Sequence, residues 1–296
     1  MARFFPVAGT FRSLANYNYR LWAGGVLVSN VGTWMQRVAQ DWLVLTQLTH
    51  NNASAVGLVM ALQFGPQMLM LPFSGFAADY FDRRRLLMCT QAAMGLCALV
   101  LGLLTITGLV ELWHVYTIAF LHGCSAAFDA PARQTFVSDL VGEKDLPNAV
   151  ALNSTSFNAA RMIGPALAGL LIAGVGTGWA FLANALSFGG VLISLTFLRV
   201  GELHRSRRTV RAPGGFVASF RYVWNRPDLR AILLMLFLIG TFGLNFPIFI
   251  STMAASVFHS DARGYGVLSS MMAVGTISGA LFAAGRERPE FKRHVA

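Results

Sequence analysis

The stretch CTQAAMGLCALVLGLLTITGL, residues 89–109, runs for 21 residues without a charged side chain. An α-helix needs about 20 mainly apolar residues to cross the hydrocarbon layer of a bilayer, whereas a barrel strand would alternate over roughly ten. The stretch is therefore read as part of a membrane-crossing helix at about 86–109. Working outward, comparable segments fall at about 21–48, 54–77, 113–131, 147–174, 178–199, 229–256 and 264–284, making eight spans in all. Composition agrees: of 296 residues, 55% are hydrophobic and 12% charged, where a soluble domain carries about 25% charged residues. Too few polar side chains remain to cover a soluble surface. The expected fold class is all-α integral membrane.

The formal net charge of +10 raises the question of nucleic acid, so its placement matters. Of 23 Lys and Arg, 20 fall on one side of the spans. They are Arg3, Arg12 and Arg20 before the first span, Arg83 to Arg85 after the second, Arg133 and Lys144 after the fourth, eight arginines between the sixth and seventh, and Arg286, Arg288, Lys292 and Arg293 in the tail. The opposite loops hold only Arg263, while Arg37 and Arg161 lie inside spans. By the positive-inside rule the basic side and both termini face the cytoplasm, as in a bacterial-type inner membrane. The charge orients the chain in the bilayer, and no nucleic-acid partner is implied.

No signal-peptide core precedes the first span. Cys89, Cys97 and Cys124 fall within spans without C-x-x-C pairing or a His at ligand spacing, so neither disulfide nor metal site is indicated. No nucleophile elbow, phosphate-cradling loop or H-E-x-x-H motif is present. The expectation is a non-enzyme without cofactors, and protein partners are not specified.

Short outer connections make neighbouring spans antiparallel. The long basic connection at 200–228 contains FVASFRYVWNRP, with Phe216, Phe220, Val223 and Trp224 at helical spacing. It reads either as a helix lying in the membrane interface or as a solvated linker. The expected organisation is a six-helix bundle over 1–199, this linker, and a partial second bundle over 229–296. An ungapped offset of 210 aligns Arg20 with Arg230 and Gly65 with Gly275, as an internal duplication would.

The segment GFAADYFDRRRLL (75–87) places Asp79 near three arginines, with Gly75 permitting close helix approach. It reads as a charge network able to hold or release helices, or as a topogenic cluster with an incidental acid. This segment resembles the turn G-x-x-x-D-(R/K)-x-G-(R/K)-(R/K) of the major facilitator superfamily. Gly75, Asp79, Arg83 and Arg84 match it, while Tyr80 and Asp82 depart from it. The stretch FDAPARQTFVSDLVGEKDLPNAVALNSTSFNAARMIGPALAGLLIAG (128–174) is similar to the branch holding the enterobactin exporter and related drug-efflux permeases, and the likeness extends through all eight spans.

The resemblance implies a major-facilitator-type bundle with twelve helices in its relatives, of which eight are expected here, so a truncated, non-transporting copy and a partner-binding membrane subunit stand as alternatives to a transporter. It further implies a cytoplasmic gate built from Gly75, Asp79, Arg83, Arg84, Asp129 and Arg133. Weak surface salt bridges compete with the gate reading for Asp129 and Arg133. The fifth span is similar to the antiporter signature G-x8-G-x3-G-P-x-x-G-G at Gly164, Pro165 and Gly169, with alanines at 151, 160 and 168. Even without that likeness, small residues at such spacing allow close helix packing. Proton-coupled relatives carry an Arg four residues before a Gly in the fourth span, but here Ala119 precedes Gly123, with His122 beside it.

Ionisable groups inside a membrane are costly and face a cavity or a partner. On the first span, Asn30, Arg37 and Asp41 share a face. Arg37 and Asp41 read either as a neutralised i,i+4 bridge or as the site where Asp41 exchanges protons during transport. On the fifth span, Asn153 and Arg161 add polar groups, and Arg161 has no acid at helical spacing. It meets an acid across the bundle, binds an anionic substrate, or faces the cytoplasmic exit. Arg37, Asp41, Arg161 and Asn153 are the candidate coupling and translocation residues. With the resemblance, which alone implies direction and substrate, secondary export of a small amphipathic compound, a drug or a siderophore, with protons as coupling ion, is the expected function.

Overall fold

Asparagine and aspartate set where three of the helices begin. The computed structural model describes residues 11–204, 221–243 and 246–284. Helix α1 (Tyr17–Trp42) starts at Asn16, whose side chain accepts from the Tyr19 N–H at 3.2 Å. Asn52 caps α2 (Ala53–Leu69) through the Ser54 N–H, and Asp82 caps α4 (Arg83–Ile106) through the Arg85 N–H. Each satisfies a backbone donor that the first turn leaves unpaired. Between them lies α3 (Leu71–Tyr80), separated from α2 at Met70 and carrying proline in its first turn. Then come α5 (Leu112–Val175), α6 (Thr177–Thr196), α7 (Pro227–Leu238), α8 (Phe246–Thr252) and α9 (Ala262–Ala284).

Helix α5 is nominally 64 residues long, but Gly142 at φ 70° and ψ 176° divides it into two arms. Only glycine takes that backbone without strain. Two buried apolar clusters show that the arms fold back on each other. Val115 and Ile172, at the far ends of the arms, join one cluster with Leu43, Leu101 and Phe181. Leu140 and Ala149, flanking Gly142, join the other with Tyr19, Leu87 and Leu195. Helices α1, α4, α6 and the two arms thus run between two common ends, α1, α4 and the second arm in one direction and the first arm and α6 in the other. The second cluster marks the end that carries the arginine-rich connections.

Several boundaries differ from the sequence expectation. The fourth span, expected to stop at 131, continues as helix to the Gly142 break, because Pro131 is tolerated within a packed helical arm. The first span leaves α1 for a wide turn over Leu43–Leu48, the second is broken at Met70, and the seventh is divided by wide turns at Ile239–Gly243 and Met253–Val257. Among the described residues, α4, α5 and α6 are the helices long and apolar enough to cross a membrane individually. Of the expected interfacial helix, 221–224 is helical, with Tyr222 and Trp224 exposed, while Phe216 and Phe220 lie outside the described residues.

Polarity along α6 identifies the solvent. Asn184 is fully buried, whereas Leu186, two residues on, is 78% exposed. Apolar side chains outward and amides inward is the arrangement suited to lipid. Small residues make the close packing possible. A Cβ on Gly32 would collide with Asn184 and Ser187 of α6, and one on Gly102 would come within 2.7 Å of the Leu182 side chain.

Candidate functional site

The polar face of α1 serves three separate neighbourhoods. Gln36 faces α6 and accepts from Asn184 Nδ2 at 2.6 Å. Asn30 accepts from Arg133 Nη1 at 3.2 Å, so it belongs to a network with α5. Arg37 and Asp41 lie beyond them, and of their two readings the neutralised i,i+4 bridge is the one the structure corrects. The ion pairs shorter than 4.0 Å among the described residues do not include it.

Arg37 instead lies over the Trp34 ring at 4.7 Å and near the Phe64 ring at 5.4 Å. From the second arm of α5, Arg161 approaches the same Trp34 ring at 5.4 Å, and Phe157 meets it edge-on at 5.7 Å. Nε of both arginines is buried without a hydrogen-bond partner. Cation–π contact is worth about 0.5–2 kcal/mol, less than the several kcal/mol that burial of an ion costs. The stack therefore leaves positive charge incompletely compensated. Asn153, half-buried on the same arm as Arg161, takes no part in the ring contacts of Trp34.

Asp41 is buried and accepts a hydrogen bond from the Tyr265 hydroxyl of α9 at 3.3 Å. The Tyr265 ring stacks on Trp42 at 5.8 Å with 19° between planes, which fixes the direction of the hydroxyl. Asp41 thereby ties α1 to a helix 224 positions away in the chain. The second arm of α5 is wedged between these same two helices. A Cβ on Gly164 would lie 2.5 Å from Trp34 Cβ, whereas one on Gly169 would lie 2.9 Å from the Ala262 carbonyl. Gly266 returns the contact, its Cβ position falling 2.7 Å from the Pro165 carbonyl.

At the basic end the charges are paired. Asp129 accepts from Thr90 Oγ1 at 2.9 Å and Gln91 Nε2 at 2.7 Å in α4, and from Arg133 Nε and Nη2 at 3.0 and 2.5 Å. With Arg133 reaching Asn30, one carboxylate joins α1, α4 and α5. The weak-surface-bridge reading is thereby corrected, because Asp129 is only 4% exposed. Arg83 Nη1 donates to Asp139 Oδ1 at 2.7 Å. Arg84 donates from Nε to the Leu195 carbonyl at 2.7 Å and from Nη2 to the Thr196 carbonyl at 3.3 Å, placing a cation on the C-terminal end of α6. Arg12 pairs with Asp145 at 2.5 Å, and Tyr19 Oη donates to the Ala149 carbonyl at 2.9 Å. The Asp79 side chain lies outside the described residues. The close approach expected at Gly75 is corrected: a Cβ there would meet open space.

Trp34, Phe64, Phe157 and Tyr265 were not among the sequence candidates. Trp34 stands three residues before Arg37, a spacing that places the two side chains together on a helix. Tyr265 carried no comparable signal, since only the tertiary fold brings it to Asp41.

Residues 8–293 match the family described as transmembrane secretion effector, a family of the major facilitator superfamily. The chain belongs to this family. The staphyloferrin A transporter of Staphylococcus aureus is 27% identical over 250 residues, covering 83% of this chain and 62% of that protein. The multidrug efflux pump Tap of Mycolicibacterium fortuitum is 29% identical, covering 70% of this chain and 52% of its own length. The enterobactin exporter EntS of Shigella flexneri is 26% identical, covering 65% and 47%. The chain thus spans about half to three-fifths of the length of these relatives. A solved bacterial homolog of the human lysosomal transporter Spinster, in an inward-facing and unoccupied conformation, shares the fold with a TM-score of 0.68 at 14% identity. That match covers 90% of this chain and 63% of the other. The chain is a membrane protein with a major-facilitator-type helical bundle.

Proposed function

We propose that this protein exports a small amphipathic compound, a drug or a siderophore, by alternating access coupled to proton influx. It acts in the inner membrane with both termini cytoplasmic. The observation that carries this reading is the Asp41–Tyr265 contact. It places a titratable carboxyl of α1 against α9, beside a helix arm whose Gly164 and Gly169 let both neighbours approach closely. A proton on Asp41 would change its hydrogen bond to α9, which is how protonation can bias one packing of the bundle over another. The relatives named for export of enterobactin and efflux of drugs support the direction and the substrate range.

In this reading Arg37, Asp41, Arg161 and Asn153 serve coupling and translocation. Gly75, Asp79, Arg83, Arg84, Asp129 and Arg133 serve the cytoplasmic gate. The test is dye and drug efflux in cells lacking their own exporters. Energy-dependent extrusion by the wild-type chain, abolished in Asp41→Asn at equal membrane abundance, is expected. A wild-type chain that inserts but extrudes none of the compounds overturns the transport reading.

A further inference from the structure

We propose that Arg37 and Arg161, held on Trp34, form the recognition site for an anionic group of the transported compound, such as a carboxylate, sulfonate or phenolate. This deepens the export reading and rests on it for the word transported; the binding itself does not depend on flux. Three observations converge. The two guanidiniums come from different helices yet share one ring, at 4.7 and 5.4 Å. Neither is within 4.0 Å of an acid among the described residues, and Nε of each is buried without a partner. Asp41, the acid within electrostatic reach of Arg37, already receives the Tyr265 hydroxyl.

The contrast with Arg133 makes the site specific. Arg133 spends its donors on Asp129 and Asn30, as a structural arginine does. Arg37 and Arg161 share the Trp34 ring, so two like charges are held close together and repel. A planar anion bound beside them would offset that repulsion and engage guanidinium donors in the fork geometry that carboxylates fit. Phe64 and Phe157, 44% and 46% exposed, offer apolar surface beside the cations. The ligand that fits is flat, partly aromatic and negatively charged.

The test uses the whole chain in phosphatidylcholine nanodiscs, with fluorescein as an anionic probe and rhodamine 6G as a cationic probe of the same ring framework. Saturable fluorescein binding is expected, weakened at least tenfold in Arg37→Gln and Arg161→Gln and by less in Arg161→Lys, which keeps the charge but loses the guanidinium fork. Rhodamine 6G affinity should be unchanged or raised in the glutamine variants. Because a glutamine variant can fail to fold, phenylglyoxal modification of the wild-type chain, mapped by mass spectrometry, is the second measurement: fluorescein should slow modification of Arg161. Absence of saturable fluorescein binding, equal affinity in the wild type and the glutamine variants, or unprotected Arg161 would overturn the proposal. Arginine-dependent binding without cellular efflux would leave it standing and sink the export reading alone. Efflux without arginine-dependent binding would do the reverse.

Discussion

The Asp129 network and the Trp34 stack hold similar charges at opposite levels of satisfaction. Asp129 accepts four hydrogen bonds and Arg133 reaches a third helix, so every charge there is answered by protein. Arg37 and Arg161 share an aromatic ring and keep buried nitrogens unpaired. Both sets sit in the same bundle, which means burial of charge alone does not separate structure from function. What separates them is whether removing one group orphans other protein groups or only vacates a place for something else. The first kind should break the fold when altered, and the second should break the proposed transport while sparing the fold.

The largest effect is therefore expected at Asp129. Asp129→Ala would leave Arg133, Thr90 and Gln91 without their shared acceptor, and orphaning a buried ion-pair partner costs about 3–5 kcal/mol. Loss of the monodisperse peak in detergent size-exclusion, or a large fall in thermal unfolding midpoint, checks it. A stable Asp129→Ala protein would erase the contrast. Next in size is Gly164→Val, which forces branched side-chain atoms against Trp34 and the α1 backbone. Overpacking of this kind costs about 1–3 kcal/mol, read by the same unfolding measurement. Unchanged stability would show that α1 and α5 separate more freely than the contact suggests.

Tyr265→Phe sharpens the other side of the comparison. It removes the hydroxyl offered to Asp41 but keeps the ring on Trp42. One hydrogen bond contributes about 0.5–1.5 kcal/mol, so the fold should survive while efflux at a given external pH falls severalfold. A pH profile of dye efflux in exporter-deficient cells measures this. A profile superimposable on wild type would remove Tyr265 from the coupling proposal.

Much of this bundle was legible in the sequence, for identifiable reasons. Runs such as 89–109 fix helices because lipid leaves the backbone no other way to satisfy itself, and the lopsided arginines point to one end. Asp82 was read only as a departure from a family pattern, yet it caps α4. The paired status of charges was not legible. Arg37 and Asp41 have ideal helical spacing, but the tertiary packing offers Arg37 two aromatic rings and Asp41 a tyrosine from α9. Spacing along one helix says which side chains can meet. It does not say which partners from other helices compete for or join them: Asp129 kept Arg133 on its own helix and added Thr90 and Gln91, 39 and 38 positions away.

The smallest expected stability effect is at Gly75, and it bears directly on the proposed gate. A Cβ at Gly75 has open space around it, so Gly75→Ala should hold the fold or raise its stability by up to about 1 kcal/mol through helix propensity. In this packing the glycine is unused. If the turn between α3 and α4 docks closely against another helix only in a second arrangement of the bundle, alanine would be harmless here and obstructive there. Efflux should then fall while the unfolding midpoint stays level or rises, a combination that a purely structural glycine does not produce. Efflux equal to wild type would assign Gly75 to neither the fold nor the gate, leaving Arg83 on Asp139 and Arg84 on the α6 carbonyls as static braces of the basic end.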